Sequence, residues 1–247
     1  LDLLQIMIVN STYMISIFFL EVPTGAFADA IGRKKSVLIS TLFMMVGLVF
    51  YPLFRNFYTF MIAELLIAVS SSFASGAFDA WMVDTSQKQG FEGKVDFVFS
   101  HANVISKLAF VLGGLFGAYM AIVYIGLPFF IGAGVALIYF FLFLYAIEQD
   151  VSHKFSLIAG FRKVKVIAAE SIKYSLGHKV IFWLIAGGFL AVFVFQPMNM
   201  YWGPRFNAMG GDRIWLTGWF WAFEAIFMML GAYLVGVFLG RGKHYTF

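Results

Sequence analysis

Apolar side chains run along this sequence in long blocks separated by short polar or basic punctuation. Seven blocks stand out, over roughly residues 2–28, 36–54, 57–83, 97–124, 127–147, 180–202 and 214–239. Each is about twice the ~10 residues of a tilted strand in a membrane barrel, and close to the ~20 that carry a helix across a ~30 Å hydrocarbon core. Lipid offers no water to backbone N–H and C=O groups, so an open-ended spanning segment must satisfy them internally, as a helix does. The pattern predicts an all-α integral membrane chain with seven transmembrane helices.

Composition agrees. Charged residues are 12% of the chain and mean hydropathy is +0.87, whereas a soluble domain carries about 25% charge to face water. The expected partner of this surface is the lipid bilayer. With no cysteine, disulfides and thiolate chemistry are excluded. The chain starts at Leu1, immediately before the first block, without a basic leader or a small-residue cleavage site. The expectation is that it continues a longer protein.

Basic residues set an expected orientation. With the connection after the first block placed in the cytoplasm, thirteen Lys and Arg residues fall in inside connections. Arg55, Arg205 and Arg213 fall outside, and Lys107 is left within the fourth block. Such a bias predicts a multi-pass protein of the plasma (cell inner) membrane, amino end outside and carboxy end cytoplasmic. The longest connection, 148–179, places Leu157, Phe161, Val164, Ala168 and Ile172 at helical spacing among basic residues. It reads as an amphipathic helix on the inner leaflet or as a solvated linker. Five blocks precede it and two follow. The expected domains are an amino-terminal bundle over 1–147, the linker over 148–179, and the start of a carboxy-terminal bundle over 180–247.

Just past the first block stands Gly25-Ala-Phe-Ala-Asp29-Ala-Ile-Gly32-Arg33-Lys34-Lys35. Gly25 suits close approach of a neighbouring helix. Asp29 can pair with a cation or face a helix amino terminus, Gly32 permits a tight reversal, and Arg33 and Lys34 anchor the inside face. The run resembles the signature loop of the major facilitator superfamily, which joins that family's second and third helices on the cytoplasmic side. The resemblance implies a partial form of the family's twelve-helix, two-bundle fold, in which the seven blocks correspond to family helices two to eight. Helix one and helices nine to twelve are then expected in the intact parent. It also makes Gly25, Asp29, Gly32, Arg33 and Lys34 a conformational signature loop; Asp84, near the inner end of the third block, is expected to pair with its basic residues as a latch.

Two other stretches match the family less well. Gly113-Gly114-Leu-Phe-Gly117-Ala118 lies where antiporters often carry a Gly- and Pro-rich run, but Ala109 and Gly114 replace its first Gly and its Pro. Small-residue helix packing is the alternative. Gly240-Arg241-Gly242-Lys243 keeps only the Gly and basic character of a second signature loop.

Ionisable groups near the bilayer centre cost about 2.5–3.5 kcal/mol on insertion scales and call for a function or a partner. Lys107 and Glu224 each lie about 15 Å into their helices, counted at ~1.5 Å per residue. Matched depth and opposite charge suggest an ion pair, and separate roles in a central cavity are the other reading. Glu64 sits where the family often has an arginine, and Glu21 lies beside Pro23. Together with Gln196, Asn199 and Tyr201, these residues form a candidate substrate or proton pathway. Trp202 is expected in an interfacial aromatic belt.

The function these features imply is secondary active transport of a small solute by alternating access, with proton-coupled export of amphipathic or drug-like compounds as the favoured form. Sugar or metabolite uptake by a symporter is the alternative within the class, and a seven-helix receptor the alternative outside it. No Gly-x-x-x-x-Gly-Lys-Ser/Thr loop is present, and His101, His153, His178 and His244 are scattered. The chain is not expected to be an enzyme, to hold a metal or cofactor, or to bind nucleic acid. Its expected partners are lipid, a small-molecule substrate and protons.

Overall fold

The computed structural model describes residues 1–88, 90, 95–146, 174, 177–210, 213 and 215–239. Within these, side chains at 22, 26, 29, 30, 87, 88, 95–97, 100, 146, 199, 207, 210 and 232–239 are not described. Helices occupy all seven expected places: α1 (Leu3–Ile31), α2 (Arg33–Leu53), α3 (Phe57–Lys88), α4 (Val95–Val123), α5 (Leu127–Ala146), α6 (Lys179–Gly210) and α7 (Trp215–Leu239). Stretches long and apolar enough to cross a membrane lie in α1 to α6: Leu3–Glu21, Arg33–Leu53, Phe57–Ser86, His101–Val123, Leu127–Tyr145 and Lys179–Phe206. In α7 the side chains are described only to Gly231. The expected linker over 148–179 and the run Gly240–Lys243 fall almost wholly outside the described residues.

Local chemistry fixes several helix ends. Asp2 caps α1 reciprocally with Gln5: the Gln5 N–H donates to Asp2 Oδ1 (2.7 Å) and the Asp2 N–H to Gln5 Oε1 (3.1 Å). Asn56 and Thr59 do the same ahead of α3 at 3.3 and 3.0 Å. Such reciprocal caps satisfy amide donors that have no partner inside the helix.

Small residues face inward and large apolar ones outward. Ala28, Val37, Ala63, Ala68 and Ala77 are buried, with Ser36, Ser40, Thr41, Ser70 and Ser72, whereas Phe18, Phe19, Trp183 and Phe193 are about 70% exposed. A soluble protein hides its large apolar groups. Lipid tails are as apolar as leucine, so helices associate here through close backbone approach and hydrogen bonds.

The helices form two compact units, Leu1–Glu92 with Phe129–Tyr201, and Gly93–Pro128 with Trp202–Phe247.

In the first unit α3 packs against both α1 and α2. Ser36 Oγ donates to the Phe73 carbonyl (3.1 Å), and Ser40 and Ser70 hydroxyls lie 3.2 Å apart. At Gly47 an added Cβ would stand 2.8 Å from Ile67 Cγ1. In the second unit α4 packs against α7. An added Cβ at Gly218 would meet Ala118 Cβ at 2.5 Å and the Gly114 carbonyl oxygen at 2.9 Å.

Candidate functional site: the signature turn and the polar groups of the helices

Gly32 is the single residue between α1 and α2. It holds φ +94° and ψ 147°, a region in which only glycine rests comfortably. Its N–H closes α1 on the Ala28 carbonyl (3.0 Å) while its own carbonyl accepts from the Ser36 N–H (3.2 Å). One residue thus ends one helix, starts the next and reverses the chain.

That reversal places Arg33 at the start of α2 against the end of α3. Its Nη1 donates to the Ala80 carbonyl (2.6 Å) and pairs with Asp84, one turn further on. Lys34 Nζ donates to the Leu144 carbonyl of α5 (2.8 Å). Beneath these charges Ala28, Val37, Ala77 and Phe143 form a buried cluster covered by Leu38, Phe78 and Trp81. The turn therefore ties α1, α2, α3 and α5 together. A Cβ added at Gly25 would meet nothing within 4 Å among the described residues. The Asp29 side chain lies outside the described residues.

Among the pathway candidates, Glu64 is half-buried and accepts a hydrogen bond from the Tyr51 hydroxyl, whose ring stacks on Phe129 at 4.9 Å. Gln196 Nε2 donates to Asn10 Oδ1 (3.1 Å), and the Tyr201 hydroxyl reaches Met7 Sδ (3.6 Å). These contacts join α6 to the first turns of α1. Glu21 lines a cleft between α1 and α3. The Asn199 side chain lies outside the described residues.

Lys107 and Glu224 form no ion pair. Their helices do pack together, but the buried stripe of α7 runs through Gly218, Ala222 and Ala225. Glu224, one residue off that stripe, is turned about 100° aside. It lies in an open groove with Phe220, Phe223, Phe227 and Met228, while Lys107 is exposed. Trp202 is half-buried and stacked on Phe220 (4.3 Å) and edge-on to Trp221 (5.3 Å), a packing role that the expected belt position does not include. Gly113–Ala118 supplies a packing face, since Gly114 and Ala118 are what Gly218 approaches.

Asp79, Ser72, Thr24 and Tyr51 carry no role in the sequence reading, yet each stands at a polar contact or lines the cleft. Their signal was available in part: Glu21, Thr24, Gly25 and Ala28 on α1, and Ser72, Ser75, Gly76 and Asp79 on α3, share the i, i+3, i+4, i+7 spacing of one helix face.

Long apolar helices packed through small residues, joined by a glycine turn with a basic clamp, define a multi-pass membrane protein. The sequence pattern of the Major Facilitator Superfamily matches residues 1–247, and the chain belongs to that family. It is 26% identical over 217 residues to an uncharacterized MFS-type transporter, YxaM, of Bacillus subtilis (strain 168), an alignment covering 85% of this chain and 52% of that protein. The chain thus spans about half the length of the curated relative it matches. Membership in a transporter family displaces the receptor reading.

Proposed function

We propose that the protein to which these helices belong is a secondary transporter that moves a small solute by alternating access, with proton-coupled export of amphipathic compounds as its working form. The observation that carries this reading is the clamp at the signature turn, where Arg33 holds both the Ala80 carbonyl and the Asp84 carboxylate of α3. An ion pair that is partly exposed contributes modestly to stability, about 0.2–1 kcal/mol. It suits a contact that opens and re-forms in each cycle. Carboxylates within apolar helices, Glu21, Glu64 and Glu224, supply protonatable groups for coupling. Helices rocking about a site near the midplane supply the movement.

In this reading, residues 1–147 belong to one bundle, 148–179 is the cytoplasmic linker, and 180–247 opens the second bundle. The amino end faces outward and the carboxy end the cytoplasm of the cell inner membrane, with family helices one and nine to twelve completing the transporter.

The test is solute movement in sealed vesicles holding the twelve-helix protein, with an imposed pH gradient and a panel of amphipathic and sugar-like compounds. Export of amphipathic compounds that stops when the gradient is collapsed supports the reading. No gradient-dependent movement of any compound overturns it.

A further inference from the structure

Among the described residues α5 makes no extended backbone contact with another helix. Side chains hold it instead, and α2 supplies them at both ends. At the last turn of α5, Lys34 Nζ donates to the Leu144 carbonyl (2.8 Å), and Trp81 of α3 stands edge-on to Phe143 (5.3 Å). At the first turns the Tyr51 ring stacks on Phe129, with centroids 4.9 Å apart and planes at 19°. Leu48 packs beside it, since a Cβ added at Gly132 would meet Leu48 Cδ1 at 3.4 Å. The two ends differ in what fixes the holding group. Lys34 bonds a backbone carbonyl, an acceptor that does not titrate. The Tyr51 hydroxyl donates to the Glu64 carboxylate of α3, an acceptor that does.

Tyr51 and Glu64 are both half-buried. An ionised carboxylate accepts a hydrogen bond roughly twice as strong as a neutral acceptor does, and surroundings of low dielectric enlarge the difference. Protonation adds H⁺ to a carboxylate oxygen and leaves the Tyr51 O–H intact, so a neutral contact replaces a charge-assisted one. A tyrosine side chain turns about two χ angles, so fixing its hydroxyl also fixes the direction of its ring. What acts on Glu64 among the described residues is burial and the Tyr51 hydroxyl. From α5 comes Phe129, which does not titrate. From α1, Tyr13 acts on Tyr51 and donates to Ser71 Oγ (3.2 Å), and phenols titrate far above carboxyl groups.

We infer that Glu64 is a proton-sensitive anchor for the first turns of α5, acting through the Tyr51 hydroxyl: ionised, it fixes the ring against Phe129, and protonated, it holds that ring less firmly. Glu64 is thus a positioning residue for α5. This deepens the transport reading, on which it rests, by naming the helix contact that one coupling proton controls. Equilibrium amide exchange needs neither gradient nor solute, so its failure overturns the anchor alone and leaves the vesicle test to judge transport.

The experiment is hydrogen–deuterium exchange of the protein in uncharged lipid vesicles, read by mass spectrometry. It is run at about pH 8 and about pH 3.5, either side of the ordinary glutamate value of about 4.3. Each rate is divided by the unstructured rate at the same pH, so that protection alone is compared. Residues 129–136 should lose protection by about three- to tenfold at the lower pH, the factor expected when a charge-assisted bond becomes neutral. Glu64→Gln, a neutral acceptor, should show the lower protection at both pH values. Tyr51→Phe, which keeps the ring and loses the hydroxyl, should show no pH response. Tyr58→Phe, at an exposed tyrosine of α3, should behave as the unaltered protein. Tryptophan fluorescence melting checks that each variant folds. Where Glu64→Gln does not fold, Tyr51→Phe and the unaltered protein decide. Equal protection of 129–136 at the two pH values in the unaltered protein, or a full pH response in folded Glu64→Gln or Tyr51→Phe, would each overturn the assignment.

Discussion

The α2–α3 contact and the α4–α7 contact both bring helix backbones close at a glycine, yet they are secured differently. Between α2 and α3, Ser36, Ser40 and Arg33 place directional bonds at successive turns, and a Cβ added at Gly47 would meet Ile67 Cγ1 at 2.8 Å and the Ala63 carbonyl oxygen at 3.3 Å. Between α4 and α7, Gly218 sits directly on the Gly114 carbonyl and Ala118. Around it are rings: Phe110 edge-on to Trp221 at 6.1 Å, and the Trp202–Phe220 stack. The Trp219 indole donates to the Tyr119 hydroxyl (3.1 Å) at an exposed position. Hydrogen bonds fix register along the first contact, and shape fixes separation at the second. The clamp that the transport reading needs stands at the end of the hydrogen-bonded contact, where opening it breaks a few defined bonds and leaves the packing beneath intact.

Substitutions can break this contrast, starting with shape. Gly218→Val should be the most damaging, lowering stability by about 3 kcal/mol, the upper range for overpacking, because backbone blocks its Cβ. Gly47→Ala should lose less, since the smaller side chain meets the Ala63 carbonyl only at 3.3 Å, against 2.9 Å for the Gly114 carbonyl at Gly218. Equal losses in thermal unfolding would remove the distinction. Gly32→Ala comes next, at about 2 kcal/mol, for placing a Cβ at φ +94°. Unchanged melting there would mean that the turn re-forms in another conformation. Arg33→Ala should cost about 1 kcal/mol of stability, because the pair is partly exposed, while impairing transport far more. A stability loss as large as the loss of activity would recast the clamp as structural. Ser40→Ala should be mildest, about 0.6 kcal/mol, the mean for hydrogen bonds between membrane helices.

The helices and the turn were legible because each is a local consequence of sequence. Apolar length sets a span, and Gly32 between two helix-forming runs sets a reversal. A pairing of Asp84 with the basic turn was legible from its place near the inner end of α3, and its partner there is Arg33. The choice between an ion pair and separate roles for Lys107 and Glu224 was not legible, because depth along a helix does not contain the angle around it, and Glu224 falls one residue off the Gly218–Ala222–Ala225 stripe. The cleft was half-legible. Glu21 stood out by its charge, but pairing it with Asp79 needed the knowledge that α1 and α3 pack on those faces, a long-range fact that spacing within either helix does not contain. Ser72 could not be singled out from Ser70 and Ser71 until their partners were known.

The most direct test of the clamp's role is a charge exchange read by transport in sealed vesicles, comparing Arg33→Asp, Asp84→Arg and the double exchange in the full-length protein. Each single change should slow transport by about tenfold or more while the protein still folds, and the double exchange should recover a large part of the rate. Single variants that transport at the parent's rate would contradict the account, because the Arg33–Asp84 pair would then take no part in the conformational cycle.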